Sequence, residues 1–282
     1  MVASGRDATR SSADFSAGHV GCCTTARVLR GQPTRTDRHV ERLRRDAGRL
    51  GLELPDRGEI ARLLIETAAR HFAPPAEGIV RIEWSAATDA GSARLRASAR
   101  SLVPAPDRWR VRSALTRHPG PEARRNTKQI GVAAYDSARA EAAVGDVDEV
   151  LLFDGEGRVV EGSFTNLLIA TGDGELQTPA LSLGAVEGIG LTIVREHTPA
   201  LREVRLERHA LGSVQELIAV NVVRGIAPIV EFDGRRVGSG EPGPWARRLD
   251  PLFRESSRGV VGEPSGVGSD APDPAVPDDR SR

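Results

Sequence analysis

Lysine is almost absent from this chain. Of 39 basic residues in 282, only Lys128 is a lysine, and Tyr135, seven positions later, is the only tyrosine. A guanidinium stays protonated, whereas an ε-amine can lose its proton and form a Schiff base. Where only positive charge is needed, arginine serves, so the one retained amine marks a candidate reactive site. The competing interpretation is a compositional bias against lysine that left a single lysine without a function.

Other absences narrow the class of protein. The two cysteines, Cys22 and Cys23, are adjacent, and the six histidines are scattered, so neither a disulfide framework nor a metal-ligand spacing is available. The formal net charge is zero, which gives no electrostatic case for nucleic acid or anionic membrane. No apolar run reaches membrane-spanning length and no signal pattern opens the chain. We expect a cytoplasmic globular protein without metal, nucleic-acid or membrane partners.

Composition divides the chain into five stretches. Small polar residues predict a disordered leader at 1–18, and a segment rich in Gly, Pro, Ser and Asp predicts a disordered tail at 255–282. The run His118-Pro119-Gly120-Pro121 indicates an interdomain linker, placed at 114–126. We therefore expect a small N-terminal α+β domain at 19–113 and a larger C-terminal mixed α/β domain at 127–254.

Hydrophobic periodicity places elements within these domains. In the first half it predicts strands over 21–28, 79–84, 93–97 and 109–112, and helices that open at Thr36 and after Asp56. In the second half it predicts a helix over 132–144, a hairpin around 154–157, strands over 166–170 and 217–223, and a helix over 191–201. Thr36 or Asp37 is expected to cap the first helix.

Three features outside the lysine can carry chemistry. Gly188, Ile189 and Gly190 precede a helix, where free backbone N–H groups suit an anion. Arg42 lies on an amphipathic helix, and Glu161 ends a β-rich run next to glycine. Each alone also fits an ordinary role: a loop glycine, a solvated arginine or a surface acid. Together with Lys128 they match pyridoxal phosphate, which needs an amine for its aldehyde, an acid for its ring nitrogen and donors for its phosphate.

The chain resembles the class IV aminotransferase family, the fold-type-IV pyridoxal phosphate enzymes, over roughly residues 19–253. The matching segments are 21–28, 39–43, Lys128 with 135–136, 148–152, 161–167, 178–179, 188–189 and 221–225. The resemblance implies a two-domain fold, a homodimer with the active site between the domains, and a small amino-acid-like substrate.

The resemblance also assigns site residues. It implies that Lys128 is the Schiff-base lysine, that Glu161 is the partner of the pyridine nitrogen, and that Tyr135 contacts the cofactor. Arg42 would bind the phosphate with the turn at Gly188, Ile189 and Gly190 and with the position held by Val222. Many relatives carry a threonine where this chain has Gly190 and a serine where it has Val222, so the phosphate cup has fewer hydroxyl donors here. Cys23 stands where an aromatic residue is frequent.

Within the family, three details resemble 4-amino-4-deoxychorismate lyases: the 22–28 stretch with Thr24 and Thr25, the spacing of Lys128 to Tyr135-Asp136, and the motif at 221–225. They imply an enzyme that releases pyruvate and 4-aminobenzoate for folate or a specialised pathway, with Thr24 or Thr25 assisting proton delivery. The alternatives are an aminotransferase for branched-chain or D-amino acids, which would use the same residues, and a non-catalytic paralogue.

Overall fold

A computed structural model describes residues 19–87 and 93–254. The predicted leader at 1–18 and tail at 255–282 lie outside these described residues, as does the connection at 88–92. The described chain forms two β-sheets with helices packed against them, a mixed α/β arrangement. No helix of the described part is long and apolar enough to cross a bilayer.

The first sheet has four antiparallel strands in the order β2-β1-β3-β4. They are β1 (His19–Leu29), β2 (Gln32–Pro33), β3 (Gly78–Ala87) and β4 (Arg94–Ser101), and α1 (Thr36–Arg49) and α2 (Arg57–His71) pack on one face. The apolar stripes of both helices, with Leu43 and Leu64 fully buried, supply this core. The predicted cap of α1 is wrong: the N-cap is Arg35, which has left-handed dihedral angles and makes no side-chain capping bond, and Thr36 and Asp37 lie inside the helix. In α2 the Asp56 side chain is the cap and accepts from the Glu59 N–H.

Alternation along β1 decides which residues face the helices. Cys22 lies on the helix side, where its Sγ contacts the Leu43 carbonyl at 3.6 Å, and Thr24 bonds to His39 of α1. Successive side chains of a strand point to opposite faces. Cys23 and Thr25 therefore lie on the other face of this sheet.

The second sheet has nine strands in the order β10-β9-β8-β11-β12-β5-β6-β7, with β13 paired to β12. They are β5 (Trp109–Ser113), β6 (Glu149–Phe153), β7 (Val159–Gly162), β8 (Asn166–Ala170), β9 (Leu176–Pro179), β10 (Arg202–Val204), β11 (Glu216–Asn221), β12 (Gly225–Phe232) and β13 (Arg235–Arg236). β6, β8 and β11 are almost continuously apolar and buried, as is usual for central strands covered on both faces.

Strand β5 belongs to this large sheet. It runs parallel to both β6 and β12, and Trp109 and Val111 lie in the core shared by these strands. The sequence placed this strand in the first domain because it precedes the predicted linker. The division into domains itself stays a prediction.

The remaining helices are α3 (Pro121–Arg124), α4 (Ala133–Val144), α5 (Ile189–His197), α6 (Pro244–Leu249) and α7 (Pro251–Arg254), with 3₁₀ turns at Leu181–Leu183 and Arg208–Ser213. α3 forms inside the stretch predicted as linker. α5 begins two residues earlier than predicted, because Gly188 has extended dihedral angles and acts as its N-cap. The first turn of α5 thus contains Ile189 and Gly190.

Candidate active site

Lys128 is held where the first sheet meets the segment that precedes α4. Its carbonyl accepts from the Cys23 N–H of β1 at 2.8 Å, and its own N–H donates to Asp46 Oδ2 of α1 at 2.9 Å. Two residues later the Ile130 N–H donates to the Gly21 carbonyl at 3.1 Å. The Lys128 backbone is therefore fixed by β1 on one side and by α1 on the other.

The amine of Lys128 has a depressed pKa. Burial is the largest cause of the fall in its pKa from 10.5 to about 8, and the neighbouring Arg42 and Arg81 cations act in the same direction, while Cys23 and Glu161 act against them. A larger fraction of the amine is therefore neutral at physiological pH than for an exposed lysine. A neutral amine is the form that attacks an aldehyde or takes a proton.

Arg42 is buried and incompletely paired. It is 6% exposed, its Nε donates to Asp46 Oδ2 at 3.3 Å, and its Nη2 has no hydrogen-bond partner among the described residues. A buried guanidinium nitrogen without a partner is costly unless a ligand supplies one. Arg42 therefore fits an anion such as a phosphate.

Helix α1 lies along α5 and brings Arg42 to it. Arg38 donates to Glu196 near the end of α5, and Arg45 donates to the Glu187 carbonyl just before α5 begins. Arg42 lies between these two arginines on α1, so it is carried toward the N-terminal part of α5. The N–H groups and positive dipole end of that helix favour an anion in the same place.

The glycines of this helix start are required by close packing. A Cβ on Gly188 would lie 2.2 Å from Asn166 Oδ1, and a Cβ on Gly190 would lie 2.9 Å from the Asn221 backbone. Gly190 thereby brings the helix start against Asn221, whose Oδ1 accepts from the Val223 and Arg224 N–H groups. The structure thus brings together Gly188, Ile189, Gly190 and the turn that carries Val222, as the phosphate-cup prediction requires.

Glu161 lies at the end of β7, almost fully buried and surrounded by donors. Its Oε1 accepts from the Tyr135 hydroxyl of α4, and its Oε2 accepts from the Val186 N–H at 3.0 Å and the Asn166 amide at 3.4 Å. Arg124 stacks 4.6 Å from the centroid of the Tyr135 ring. Burial and Glu161 raise the pKa of Tyr135 well above its usual value, so its hydroxyl keeps its proton and remains a donor.

The two predicted threonines differ in position. Thr24 is fully buried and its Oγ1 lies 2.7 Å from His39 Nδ1, on the helix side of the first sheet. Burial, assisted by Arg42 and Arg35, lowers the pKa of His39 to about 3, so the ring is neutral. Thr25 is partly exposed and shares the opposite face with Cys23, which contacts the Lys128 backbone. Of the two hydroxyls, that of Thr25 is the better placed for a substrate at Lys128.

Four residues near the site were not predicted: Asp46, Arg81, His118 and Arg124. Asp46 follows Arg42 by one helical turn, a spacing typical of an ion pair, and this signal was available. Arg81 is opposite Thr25 in the register of β1 and β3, which the sequence alone does not give. His118 lies in the run that predicts a linker, and only tertiary packing places it against Tyr135 and Glu161.

Comparison with known proteins identifies the family. The model of the amino-transferase class IV family matches residues 21–232. The chain belongs to this family, and the expectation of a pyridoxal phosphate enzyme of this class is confirmed. The cofactor role of each individual residue stays a prediction. Arg42 Nη2, which has no partner in residues 19–87 and 93–254, and the closely packed Gly188 and Gly190 fit a phosphate.

Individual relatives and structural neighbours of the chain carry different activity names. A branched-chain-amino-acid aminotransferase from Pseudomonas aeruginosa is 34% identical over 119 residues, 41% of this chain and 38% of that protein. A candidate 4-amino-4-deoxychorismate lyase from Legionella pneumophila has a similar structure, with a TM-score of 0.74, 19% identity, and coverage of 84% of this chain and 91% of that one. A cofactor-bound aminotransferase from Brucella abortus has a TM-score of 0.73 and 21% sequence identity, with coverage of 89% of this chain and 93% of that one. The structural similarities confirm the fold-type-IV architecture; the matched region spans less than half of the curated relative.

Proposed function

We propose that the chain is a pyridoxal-phosphate-dependent enzyme for a small amino-acid-like substrate, with Lys128 as its reactive amine. The observation that carries the proposal is the setting of this single lysine. Its backbone is fixed by Cys23 and Asp46, and its pKa is lowered to about 8. An amine in that state is suited to bind an aldehyde and to move a proton.

The chain's other residues have distinct tasks. When bound, pyridoxal phosphate supplies an electron sink for the charge that develops at the substrate Cα. Arg42 and the start of α5 would bind its phosphate, and Glu161 would accept from its ring nitrogen. Lys128, once released by the substrate amine, would take and return the Cα proton. The Arg81 cation beside Lys128 favours a substrate that carries a carboxylate.

Amine transfer is the first candidate reaction. The curated relatives include a branched-chain-amino-acid aminotransferase from Pseudomonas aeruginosa, 34% identical over 119 residues, and a probable one from Aquifex aeolicus, 30% identical over 129 residues. In addition, Thr24 has its hydroxyl committed to His39 in the interior, so one of the two groups that the lyase prediction invoked is unavailable. We therefore place amine transfer from a branched-chain amino acid to 2-oxoglutarate first.

Lyase activity is the second candidate, and the position of Thr25 favours it. Thr25 lies on the same face as Cys23, next to the Lys128 segment, and is partly exposed. There its hydroxyl could deliver a proton to a leaving enolpyruvyl group. A homodimer stays a prediction for either reaction.

An absorbance spectrum tests the shared part of the proposal. Purified wild-type protein with added pyridoxal phosphate should show a visible absorption band. Borohydride reduction should abolish this band and leave the cofactor covalently attached to the Lys128 peptide. Lys128→Ala should lack that band. A wild-type protein that gains no band with added cofactor would favour the non-catalytic paralogue.

A paired assay separates the two reactions. One sample receives a branched-chain amino acid with 2-oxoglutarate, and the other receives 4-amino-4-deoxychorismate. Glutamate formation without pyruvate release would support the transaminase, whereas pyruvate with 4-aminobenzoate would support the lyase. Thr25→Ala should reduce the second activity much more than the first, and Thr34→Ala, a buried threonine outside the predicted site, is the matched control.

A further inference from the structure

Three polar side chains form a buried chain behind the carboxylate predicted to meet the cofactor ring. His118, Tyr135 and Glu161 are 5%, 7% and 2% exposed. His118 Nε2 lies 2.9 Å from the Tyr135 hydroxyl and 3.5 Å from Glu161 Oε1, and the hydroxyl donates to the same Oε1. The proposed function assigns no role to His118.

The direction of the hydrogen bonds is fixed at the histidine end. The Gly120 N–H donates to His118 Nδ1 at 3.1 Å, so a neutral imidazole carries its proton on Nε2. Nε2–H then donates to the Tyr135 hydroxyl, which donates to Glu161. The backbone of His118 is also anchored, because its N–H donates to the Phe153 carbonyl at the end of β6 at 2.9 Å. Chains of aligned donors strengthen one another in a buried setting.

The groups around Glu161 show why the bond from the Tyr135 hydroxyl matters. Besides the Tyr135 hydroxyl, the Glu161 carboxylate accepts from the Val186 N–H and the Asn166 amide, and the Arg124 cation lies over the Tyr135 ring. If the hydroxyl turned away, the Glu161 carboxylate would lose one hydrogen bond and, with it, part of what fixes its orientation.

We propose that His118 is a positioning residue whose Nε2–H holds the Tyr135 hydroxyl on Glu161 Oε1, fixing the carboxylate in the orientation that a protonated ring nitrogen needs. This inference rests on the proposed function, since it concerns the same site. His118 acts through Tyr135 and Glu161 and touches neither the cofactor nor the substrate.

The sole tyrosine provides a readout in the protein without cofactor. Protein grown with 3-fluorotyrosine carries a single label, at Tyr135, and should give one ¹⁹F resonance. His118→Leu should shift and broaden that resonance, because the hydroxyl loses its donor and the ring its fixed position. His118→Gln, whose amide N–H can donate from a similar reach, should keep the resonance close to the wild-type one. His209→Leu, at an exposed histidine, is the matched control.

A second readout uses the space beside His118. His118 is one of the residues around a surface cavity of about 420 Å³, with Gly120, Asp154, Arg158 and Arg205, and its side chain is buried behind them. Removal of the ring should therefore open a space that free imidazole can enter from this cavity. In the cofactor-loaded enzyme, His118→Ala should lower kcat by about tenfold, the loss expected for one hydrogen bond in a charged network. Added imidazole should restore much of it in His118→Ala but not in Lys128→Ala.

The outcomes separate the inference from the proposed function. If wild-type protein binds no pyridoxal phosphate, the proposed function fails, while the ¹⁹F spectrum still reports whether His118 holds Tyr135. If the loaded wild type is active but His118→Leu and His118→Ala match it in ¹⁹F resonance and in kcat within twofold, the inference is overturned and the function stands. Unfolding midpoints of each variant identify any that fails to fold, and the His118→Gln comparison then carries the test.

Discussion

At the residue scale, the rarity of lysine makes the amine of Lys128 directly measurable. Amine reagents can modify only this side chain and the N-terminus. Since burial with Arg42 and Arg81 lowers the pKa of Lys128 to about 8, the modification rate of the cofactor-free protein should rise through pH 8 and then level off. Mass spectrometry of the Lys128 peptide measures it. Arg81→Gln should move the midpoint upward and Arg44→Gln should not. A wild-type midpoint near 10.5, the ordinary value, would contradict the buried setting.

The same shift predicts how stability depends on pH. Between pH 8 and 10.5 the unfolded lysine holds a proton that the folded one has released, so the free energy of unfolding should rise with pH across this window. Urea unfolding of the cofactor-free protein at several pH values measures the slope, and Lys128→Met is the reference without this group. Equal slopes for both proteins would show that the amine is not perturbed.

Arg42 gives a prediction about cofactor affinity. Its Nη2 is buried and lacks a partner within the part of the chain that the structure describes, so a phosphate would supply an acceptor and gain a charge-assisted bond. Arg42→Gln should weaken pyridoxal phosphate binding by roughly 1.5–3 kcal/mol, as for other hydrogen bonds to charged groups. Fluorescence titration measures the affinity. Arg44 lies on the same helix as Arg42, and its guanidinium donates to the Pro55 carbonyl before α2. Arg44→Gln should leave the cofactor affinity unchanged. Equal losses of affinity in both variants would point to a general effect of charge.

At the element scale, the chain departs from the family pattern at Gly190, where many relatives have threonine, and at Val222, where many have serine. The start of α5 and the Asn221 turn give these two departures different physical settings. At Gly190 there is no room, because a Cβ would lie 2.9 Å from the Asn221 backbone. Gly190→Thr should therefore destabilise the fold by about 1–3 kcal/mol through overpacking without improving cofactor affinity. Val222 is partly exposed in a turn, so Val222→Ser should add a donor, tighten cofactor binding and change stability by less than about 0.5 kcal/mol. Chemical unfolding and cofactor titration of both variants distinguish these expectations.

Sequence reasoning found the elements and the chemistry but not all of the side-chain partners. Helical periodicity and the Asp154-Gly155 turn specify local structure, so α1, α2, α4 and the β6–β7 hairpin were predicted. The sheet face on which Thr24 lies could not be predicted. A shift of one residue along β1 moves every side chain to the opposite face, and only packing against α1 decides between the two. His118 was missed for a related reason: its partners are 17 and 43 positions away in the chain, and no local pattern encodes such contacts.

At the scale of the whole molecule, strand β5 shows where local reasoning ends. Its alternation predicted a strand, but its partners, β6 and β12, lie on either side of it in the large sheet and far along the chain. Parallel pairing of this kind depends on contacts between distant segments, which periodicity does not report. The large sheet is therefore continuous only when residues before the predicted linker take part in it.

A pair of fragments tests this dependence. A fragment of residues 105–254 retains β5, whereas one of residues 114–254 lacks it and would leave the facing edges of β6 and β12 unpaired. It would also remove Trp109 and Val111 from the core, and each large buried side chain contributes about 1.5–3 kcal/mol, a large part of the stability of an ordinary domain. We expect the longer fragment to unfold cooperatively in urea and the shorter one to show no cooperative transition. Full-length Trp109→Ala should lower stability by about 3–5 kcal/mol. A cooperative 114–254 fragment would place the domain boundary where the sequence predicted it.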